Sequence, residues 1–256
     1  MIDLHCHILP GIDDGSPDIE TSIKMANVAV ADGIKTIAAT PHFFDGYYSN
    51  PADEISGHVK SLNNYLAEKG IEINIIPGSE AHICTNMPER VLKGEISTIN
   101  NKGKYILIEF PVQTIPPGAK EELFKLKLKG IIPIIAHPER IAPFRKNIDI
   151  LYDFVQMGCL LQVTAMSITG GMGKSAMNMS HKLIDLRLAH IIASDAHSPV
   201  NRPPVLSEAV DAAAIITGST KEAESMVTTT PAAVINGEEI NLPEPREQKK
   251  KKWWFF

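Results

Sequence analysis

The chain has 256 residues, 44% hydrophobic and 21% charged, with a formal net charge of -5 at pH 7. This is an ordinary globular composition, long enough for one large α/β domain with a substantial core, and its negative balance argues against general nucleic-acid binding. Three cysteines without a Cys-x-x-Cys pair exclude a disulfide framework and a structural zinc cage, and no apolar run reaches the roughly 20 residues of a membrane span.

The first predicted element is the strand Met1-Ile-Asp-Leu-His5-Cys6-His7. Strand alternation sends His5 and His7 to one face and Cys6 to the other, and two imidazoles side by side at a strand end suit a metal. His5 also stands where a secretory signal would carry its apolar region, so the expectation is a cytoplasmic protein in a reducing compartment. A Pro, Gly and Asp-rich loop follows, then a helix with Ser16 as expected N-cap and Pro17 at its first position, closed by Gly33.

The same grammar then repeats. Strand two, from Ile34, delivers His42; a helix opens at Asn50-Pro51 with Ile55, Val59, Leu62 and Leu66 on one face and stops at Gly70; strand three delivers Glu80. A short helical piece near Pro88 to Leu92 precedes Tyr105-Ile-Leu-Ile108, which ends at Glu109, and a helix from about Ala119 to Lys129 leads to Ile131-Ile-Pro-Ile-Ile-Ala136 and His137-Pro-Glu-Arg140. After a helix over 148–157 comes strand six, Cys159 to Thr164, with a glycine-rich loop from Ser167 to Lys174 and a helix from about Ala176 to Leu188. Strand seven, His190 to Ser194, ends at Asp195 and His197, and helices fill most of 204–227.

Seven β/α units predict a parallel sheet flanked by helices. Closure follows from the histidines and carboxylates at the strand ends. An open seven-stranded sheet would spread those ends over roughly 29 Å, whereas metal bonds are about 2.0 to 2.3 Å long. A barrel brings them around one pocket; a doubly wound open sheet, the alternative, would unite only part of the set. His5, His7, His42, His137, His197, Glu80, Glu109, Asp195 and one of Asp13 or Asp14 are too many donors for one ion. A cluster of two or three divalent ions is the economical reading, and imidazole with carboxylate and no thiolate favours Mn, Fe, Zn or Mg. Arg140 and Arg202, just beyond two histidine motifs, supply guanidinium forks that match phosphate oxygens.

Taken together, His5-Cys-His7, Asp13-Asp-Gly15, Thr40-Pro-His42, His137-Pro-Glu-Arg140 and Ser194-Asp-Ala-His197 resemble the ordered motifs of the polymerase and histidinol phosphatase (PHP) superfamily. Within it they resemble the metal-dependent protein-tyrosine phosphatases of bacterial capsule and exopolysaccharide loci, the CpsB/CapC type. The resemblance spans about Met1 to Arg202. It implies a distorted (β/α)7 barrel in a single domain over 1–242, and a trinuclear, usually Mn2+-dependent, site. By the same resemblance one ion takes His5, His7, Glu80 and Asp195, a second takes Glu80, Glu109 and His137, and a third takes Asp14, His42 and His197. Arg140 and Arg202 bind the phosphate and, with Asp14 and His42, form the catalytic set. It also chooses Asp14 over Asp13, and Met166 stands where the family has a glycine. The implied substrate is phosphotyrosine in a protein, with a bacterial tyrosine autokinase of polysaccharide export as partner. The alternatives are a small-molecule phosphatase, such as one for histidinol phosphate, and a non-catalytic metal-bound scaffold for the kinase tail.

Other signals compete. Cys84-Thr-Asn-Met-Pro-Glu-Arg90 fits the Cys-x5-Arg pattern of cysteine-dependent tyrosine phosphatases, yet Glu89 beside a phosphate dianion and Pro88 without an N–H do not suit a phosphate cradle. Gly170 to Ser175 falls short of a nucleotide loop because Ile168 stands where that spacing needs glycine. His58, His181 and His190 lie away from the strand-end pattern and read as structural; His82 is a candidate for the pocket wall, and Tyr47 and Tyr48 could stack on an aromatic substrate. The stretch 243–256 reads as a basic-aromatic tail, with four lysines at 249–252 before Trp253, Trp254, Phe255 and Phe256, fit for peripheral contact with an anionic membrane or an acidic partner segment.

Overall fold

The computed structural model describes residues 1–247. Nine strand segments are β1 (Ile2–Cys6), β2 (Thr36–Ala39), β3 (His42–Phe43), β4 (Asn74–Pro77), β5 (Glu80–His82), β6 (Tyr105–Glu109), β7 (Ile132–Ala136), β8 (Leu160–Thr164) and β9 (Ile191–Ala193). They pair in parallel as β1-β2-β4 and β3-β5-β6-β7-β8-β9. The β2/β3 line breaks at Thr40-Pro41 and the β4/β5 line at Gly78-Ser79, so nine segments make seven lines, and the two sheets are halves of one distorted wall. The wall closes where Cys6 bridges Ala196 in parallel and Asp195 N–H donates to the His5 carbonyl at 2.8 Å. Buried Asp3 locks the same seam, accepting from the Ser194 hydroxyl at 2.5 Å and its N–H at 2.9 Å. An open sheet is thereby ruled out.

Two apolar clusters record the strand alternation. Leu4, Ala38, Ile76, Tyr105, Leu107, Ile134, Leu160 and Ile191 fill the barrel interior, while Ile37, Ile75, Ile106, Ile135, Leu161 and Ile192 face the surrounding helices; β1 breaks strict alternation at its irregularity between Asp3 and Cys6, so Cys6 faces the helices although Leu4 points inward. By the same parity Glu109 and Gln162 continue the inward rows of β6 and β8, above the apolar floor. The interior is therefore oily at one end and polar at the end where the strands finish.

The helix over Ala52–Glu68 buries Ile55, Val59, Leu62 and Leu66, the face its periodicity predicts. Some expectations are corrected. The first helix is Ile19–Ala31, and its N-cap is Asp18, whose carboxylate accepts from Thr21 N–H; Ser16 instead bonds the Asp18 carbonyl from the preceding loop. The stretch expected as loop from Ser167 begins inside a helical turn, Ala165–Ile168. A final helix, Thr229–Asn236, had no counterpart in the sequence reading; it inserts Val234 into the barrel floor. The Tyr105 hydroxyl holds the segment beyond it through the Glu238 carbonyl at 2.6 Å. Arg246 is tied to the body as well, its N–H donating to Leu186 O at 2.9 Å and its carbonyl accepting from Tyr152 at 2.5 Å. Most of the basic-aromatic tail, 248–256, lies outside the described residues. Among the described residues no helix is long and apolar enough to cross a membrane.

Candidate metal centre and phosphate site

The polar end of the barrel gathers the donors that the sequence proposes from six strand lines and their loops. His5 Nε2 and His7 Nε2 lie 3.2 Å apart. Both are 3.3 Å from Glu80 Oε2, and they are 3.4 and 3.6 Å from Asp195 Oδ1. Donors sharing one ion at about 2.0 to 2.3 Å stand roughly 3 to 4 Å from one another, so these four atoms have the spacing of a coordination shell. Glu80 turns its other oxygen to His137 Nε2 at 2.8 Å, and Glu109 Oε1 lies 3.7 Å from the same nitrogen. Asp14 Oδ1 sits 3.4 Å from both His42 Nε2 and His197 Nε2 at the open side. The groups overlap: His7 also falls with Asp14, His42 and His197, and His42 with Glu80 and Glu109.

Backbone conformation aims these side chains. Parity along β7 would send His137 outward, and a left-handed φ of 32° turns it instead toward Glu80. Asp195 follows β9 with φ 52°. Non-glycine residues rarely adopt this region, and the strain sits at two residues of the donor set. Gly15 is required by close approach, since a Cβ there would meet the His7 carbonyl oxygen at 2.2 Å.

A second ring of groups fixes the imidazoles. Asp13 Oδ2 accepts from His7 Nδ1 at 2.7 Å while its Oδ1 accepts from Gly15 N–H at 2.9 Å. Asp13 therefore orients His7 and Asp14 faces the cluster, a choice that spacing could not make. Gln162 Oε1 lies 2.9 Å from His5 Nδ1, and the Asp195 carbonyl lies 3.0 Å from His197 Nδ1. With their Nδ1 atoms so engaged, His5 and His7 turn Nε2 to the centre. Gln162 and the buried Glu139, which accepts from Thr164 N–H at 3.0 Å, escaped the sequence reading. The available signal was a lone amide on the inward row of an apolar strand.

The electrostatics match a cation-binding chamber. Asp13, Asp14, Glu80 and Glu109 are paired with histidines, and among the described residues the two guanidinium groups at this cluster, Arg140 and Arg202, both pair with Asp195. Burial pushes the Glu109 carboxyl up and the neighbouring Glu80 pushes it further, whereas Glu80, although buried, is held well below its ordinary value by His5 and His137. Against burial, His5, His137 and Arg202 bring Asp195 down to about 2. His137 Nδ1, Glu139 Oε2, Gln162 Nε2, Thr164 Oγ1, Ser167 Oγ and Arg202 Nε are buried without a hydrogen-bond partner, all on the β7 to β9 side. Orphaned buried polar atoms are costly, and their gathering here marks a chamber built for polar occupants. The donor set fits divalent cations.

Arg140 reaches Asp195 Oδ2 at 2.6 Å and Arg202 reaches the same oxygen at 2.7 Å. One carboxylate thus carries two guanidinium groups beside the donor cluster. The remaining histidines read as structural from sequence are placed accordingly: His181 Nε2 lies 2.9 Å from Ile168 O, and buried His190 accepts from Leu161 N–H at 3.0 Å. His82 pairs in register with Glu109 and stacks on Phe44, 4.2 Å between ring centroids.

The chain as a whole is similar to known proteins. The tyrosine-protein phosphatase YwqE of Bacillus subtilis is 38% identical over 256 residues, covering all of both chains. A crystal structure described as YwqE from Bacillus subtilis and CpsB from Streptococcus pneumoniae, unique metal-dependent tyrosine phosphatases, superposes with a TM-score of 0.92 at 37% identity, covering 98% of this chain and 100% of that one. Histidinol phosphate phosphatase from Lactococcus lactis, solved with zinc, L-histidinol and phosphate, shares the fold alone, with a TM-score of 0.54 at 16% identity over 87% of this chain and 93% of its own. The family described as capsular polysaccharide synthesis, CpsB/CapC, matches residues 1–236. With matched sequence, superposed barrel and a donor cluster at the strand ends, the chain belongs to the CpsB/CapC family.

Proposed function

We propose that the chain is a metal-dependent phosphomonoesterase that hydrolyses phosphotyrosine in proteins, and that its substrate is a bacterial tyrosine autokinase controlling capsular or exopolysaccharide synthesis. The observation that carries this reading is the donor cluster with two arginines beside it, 2.6 and 2.7 Å from one oxygen of Asp195. Family membership gives that chemistry its context.

We assign His5, His7, Glu80 and Asp195 to one ion, Glu80, Glu109 and His137 to a second, and Asp14, His42 and His197 to a third, with Mn2+ as the expected metal. Nitrogen and oxygen donors without thiolate suit it. Divalent ions in such a site polarise phosphate oxygens and lower the pKa of water. The chain's own residues do the rest. Arg140 and Arg202 receive the phosphate and stabilise charge that develops on its oxygens as the ester bond breaks. Asp195 holds both guanidinium groups in place, and Gln162 and Asp13 hold His5 and His7 by their Nδ1 atoms. Asp14, half exposed, and His42 form the edge that faces entering substrate. No side chain needs to carry a phosphoryl group.

Exhaustive chelation is expected to abolish release of phosphate from a tyrosine-rich kinase-tail phosphopeptide, and Mn2+ to restore it; full activity in metal-free protein would refute the reading. Histidinol phosphate offered in parallel separates the small-molecule alternative, and binding of the peptide without turnover separates the scaffold. The proposed location is cytoplasmic, with the tail making reversible contact with an anionic leaflet. At about 1 kcal/mol per basic residue, four lysines supply enough for attachment and too little for insertion. Co-sedimentation with phosphatidylglycerol vesicles tests this, and equal binding by a chain ending at Glu244 would remove the membrane role.

A further inference from the structure

Two features line the rim beyond the donor cluster. On the β8 to β9 side, Met166, Val200, Pro203 and Val205 border a cavity of about 280 Å3. On the opposite side the loop after β3 carries three aromatic residues. Tyr48 stacks on His42 with ring centroids 5.6 Å apart and an interplanar angle of 20°. Phe44 is sandwiched between His82 at 4.2 Å and Tyr47 at 4.7 Å.

The loop is a rigid platform. Phe44 N–H donates to Tyr48 O at 3.0 Å, Tyr48 N–H returns to Phe44 O at 2.9 Å, and Arg90 grips Asp45 through two bonds of 2.6 and 2.7 Å. Other tyrosines show a structural use of the phenol, Tyr105 and Tyr152 each spending the hydroxyl on a backbone carbonyl. Tyr47 and Tyr48 have no such bond among the described residues, and Tyr47 is 77% exposed.

We propose that Tyr48, stacked on His42 at the mouth of the site, is the specificity element that selects an aromatic phosphoester, by receiving the substrate's phenyl ring against its open side while Tyr47 flanks the peptide. The assignment rests on the phosphatase reading for its substrate class. An aryl phosphate whose phosphorus sits among the donors and arginines projects its ring one ring-width outward, and the stiff ring of Tyr48 meets it at low entropic cost. An aliphatic phosphoserine side chain would gain nothing from that surface. The Met166 cavity is the competing seat for the ring.

Binding tests the assignment without turnover. Two peptides of one sequence, bearing phosphonomethyl-phenylalanine or the phosphonate mimic of phosphoserine, would be titrated calorimetrically into Mn2+-loaded full-length protein. Both carry the phosphonate, so any change in metal content or in Arg140 and Arg202 moves both affinities and cancels in their ratio. The wild type is expected to prefer the aryl probe about five- to tenfold, the size of an aromatic stacking contact. Tyr48→Leu and Tyr48→Ala should bring the ratio near one, and Tyr48→Phe should keep it. Equal affinities in the wild type, an intact ratio in Tyr48→Leu, or loss of the ratio in Met166→Ala instead would overturn the proposal. An aryl preference in a protein that leaves phosphotyrosyl peptide unhydrolysed would sink the phosphatase reading and leave Tyr48 in its role.

Discussion

Two places in the molecule pair arginine with carboxylate near a group that could do phosphate chemistry, and they are built in opposite proportion. At the barrel mouth one carboxylate, Asp195, serves Arg140 and Arg202. At the Cys84–Arg90 segment a single guanidinium is shared by Asp45 and Glu95, at 2.6 and 2.9 Å, and lies over the Phe43 ring at 4.7 Å. The first arrangement leaves cationic capacity for an anion; the second has none to spare. A sequence motif lists the residue types but not their proportions in space, which is why Cys-x5-Arg misleads here.

The largest expected effect comes from breaking the first arrangement. Asp195→Ala removes a donor and the anchor of both arginines together, so phosphatase activity should fall by roughly 10³-fold or more. Bound metal, measured by elemental analysis of the folded variant, should fall with it. A variant keeping a tenth of the activity would separate Asp195 from the site. Next in size is a matched pair of conservative changes. Arg140→Lys loses the guanidinium fork beside the donors and should cost about 10²-fold in kcat/KM, whereas Arg90→Lys should stay within about threefold. Similar losses in both would mean that the charge proportions decide nothing.

Much of this contrast was legible beforehand, and the parts that were not share a cause. Apolar runs ending in His or carboxylate announced the barrel, because strand ends in a parallel barrel converge on one face. Besides Gln162 and Glu139, three features of the backbone escaped. The strand breaks at Thr40-Pro41 and Gly78-Ser79 interrupt runs that read as continuous. The left-handed backbone of His137 and Asp195 falls on non-glycine residues, and although Asp and His visit that region more often than other side chains, they do so at a small minority of positions, so residue type alone marked neither. The helix Thr229–Asn236 opens on Thr-Thr-Pro and earns its place only by burying Val234 under a floor made of seven strands. Each is settled by tertiary contact.

A third prediction uses a histidine outside both arrangements. Burial holds His190 down to about 4, and its Nδ1 accepts from Leu161 N–H, a bond that needs the neutral ring. The unfolded value is near 6.5, so the unfolded chain takes up the proton first as pH falls. The contribution is fully present above about pH 6.5 and is lost between about 6.5 and 4, amounting to roughly 3 kcal/mol. Denaturant midpoints for His190→Gln, which keeps an acceptor, should vary less with pH across that window than those of the wild type. Parallel profiles would show that His190 does not titrate as described.

The smallest expected effect is the sharpest test of the comparison. Burial raises the Cys84 thiol above its ordinary value and outweighs Arg90, 3.4 Å from the sulfur, with Asp45 and Glu122 adding to the rise. A thiol in that state is a poor nucleophile near neutral pH. The backbone adds nothing: Asn86 is left-handed with φ 59°, and Pro88 has no N–H to offer a phosphate. Cys84→Ser should therefore keep phosphatase activity within about twofold and remain sensitive to chelation, because serine preserves the size of the side chain and removes only the sulfur. Activity on a phosphotyrosyl peptide, measured beside metal content, gives the answer. A folded, metal-loaded Cys84→Ser protein without activity would move the nucleophile from the barrel mouth to this segment, and the proportions of charge described above would then be a coincidence of packing.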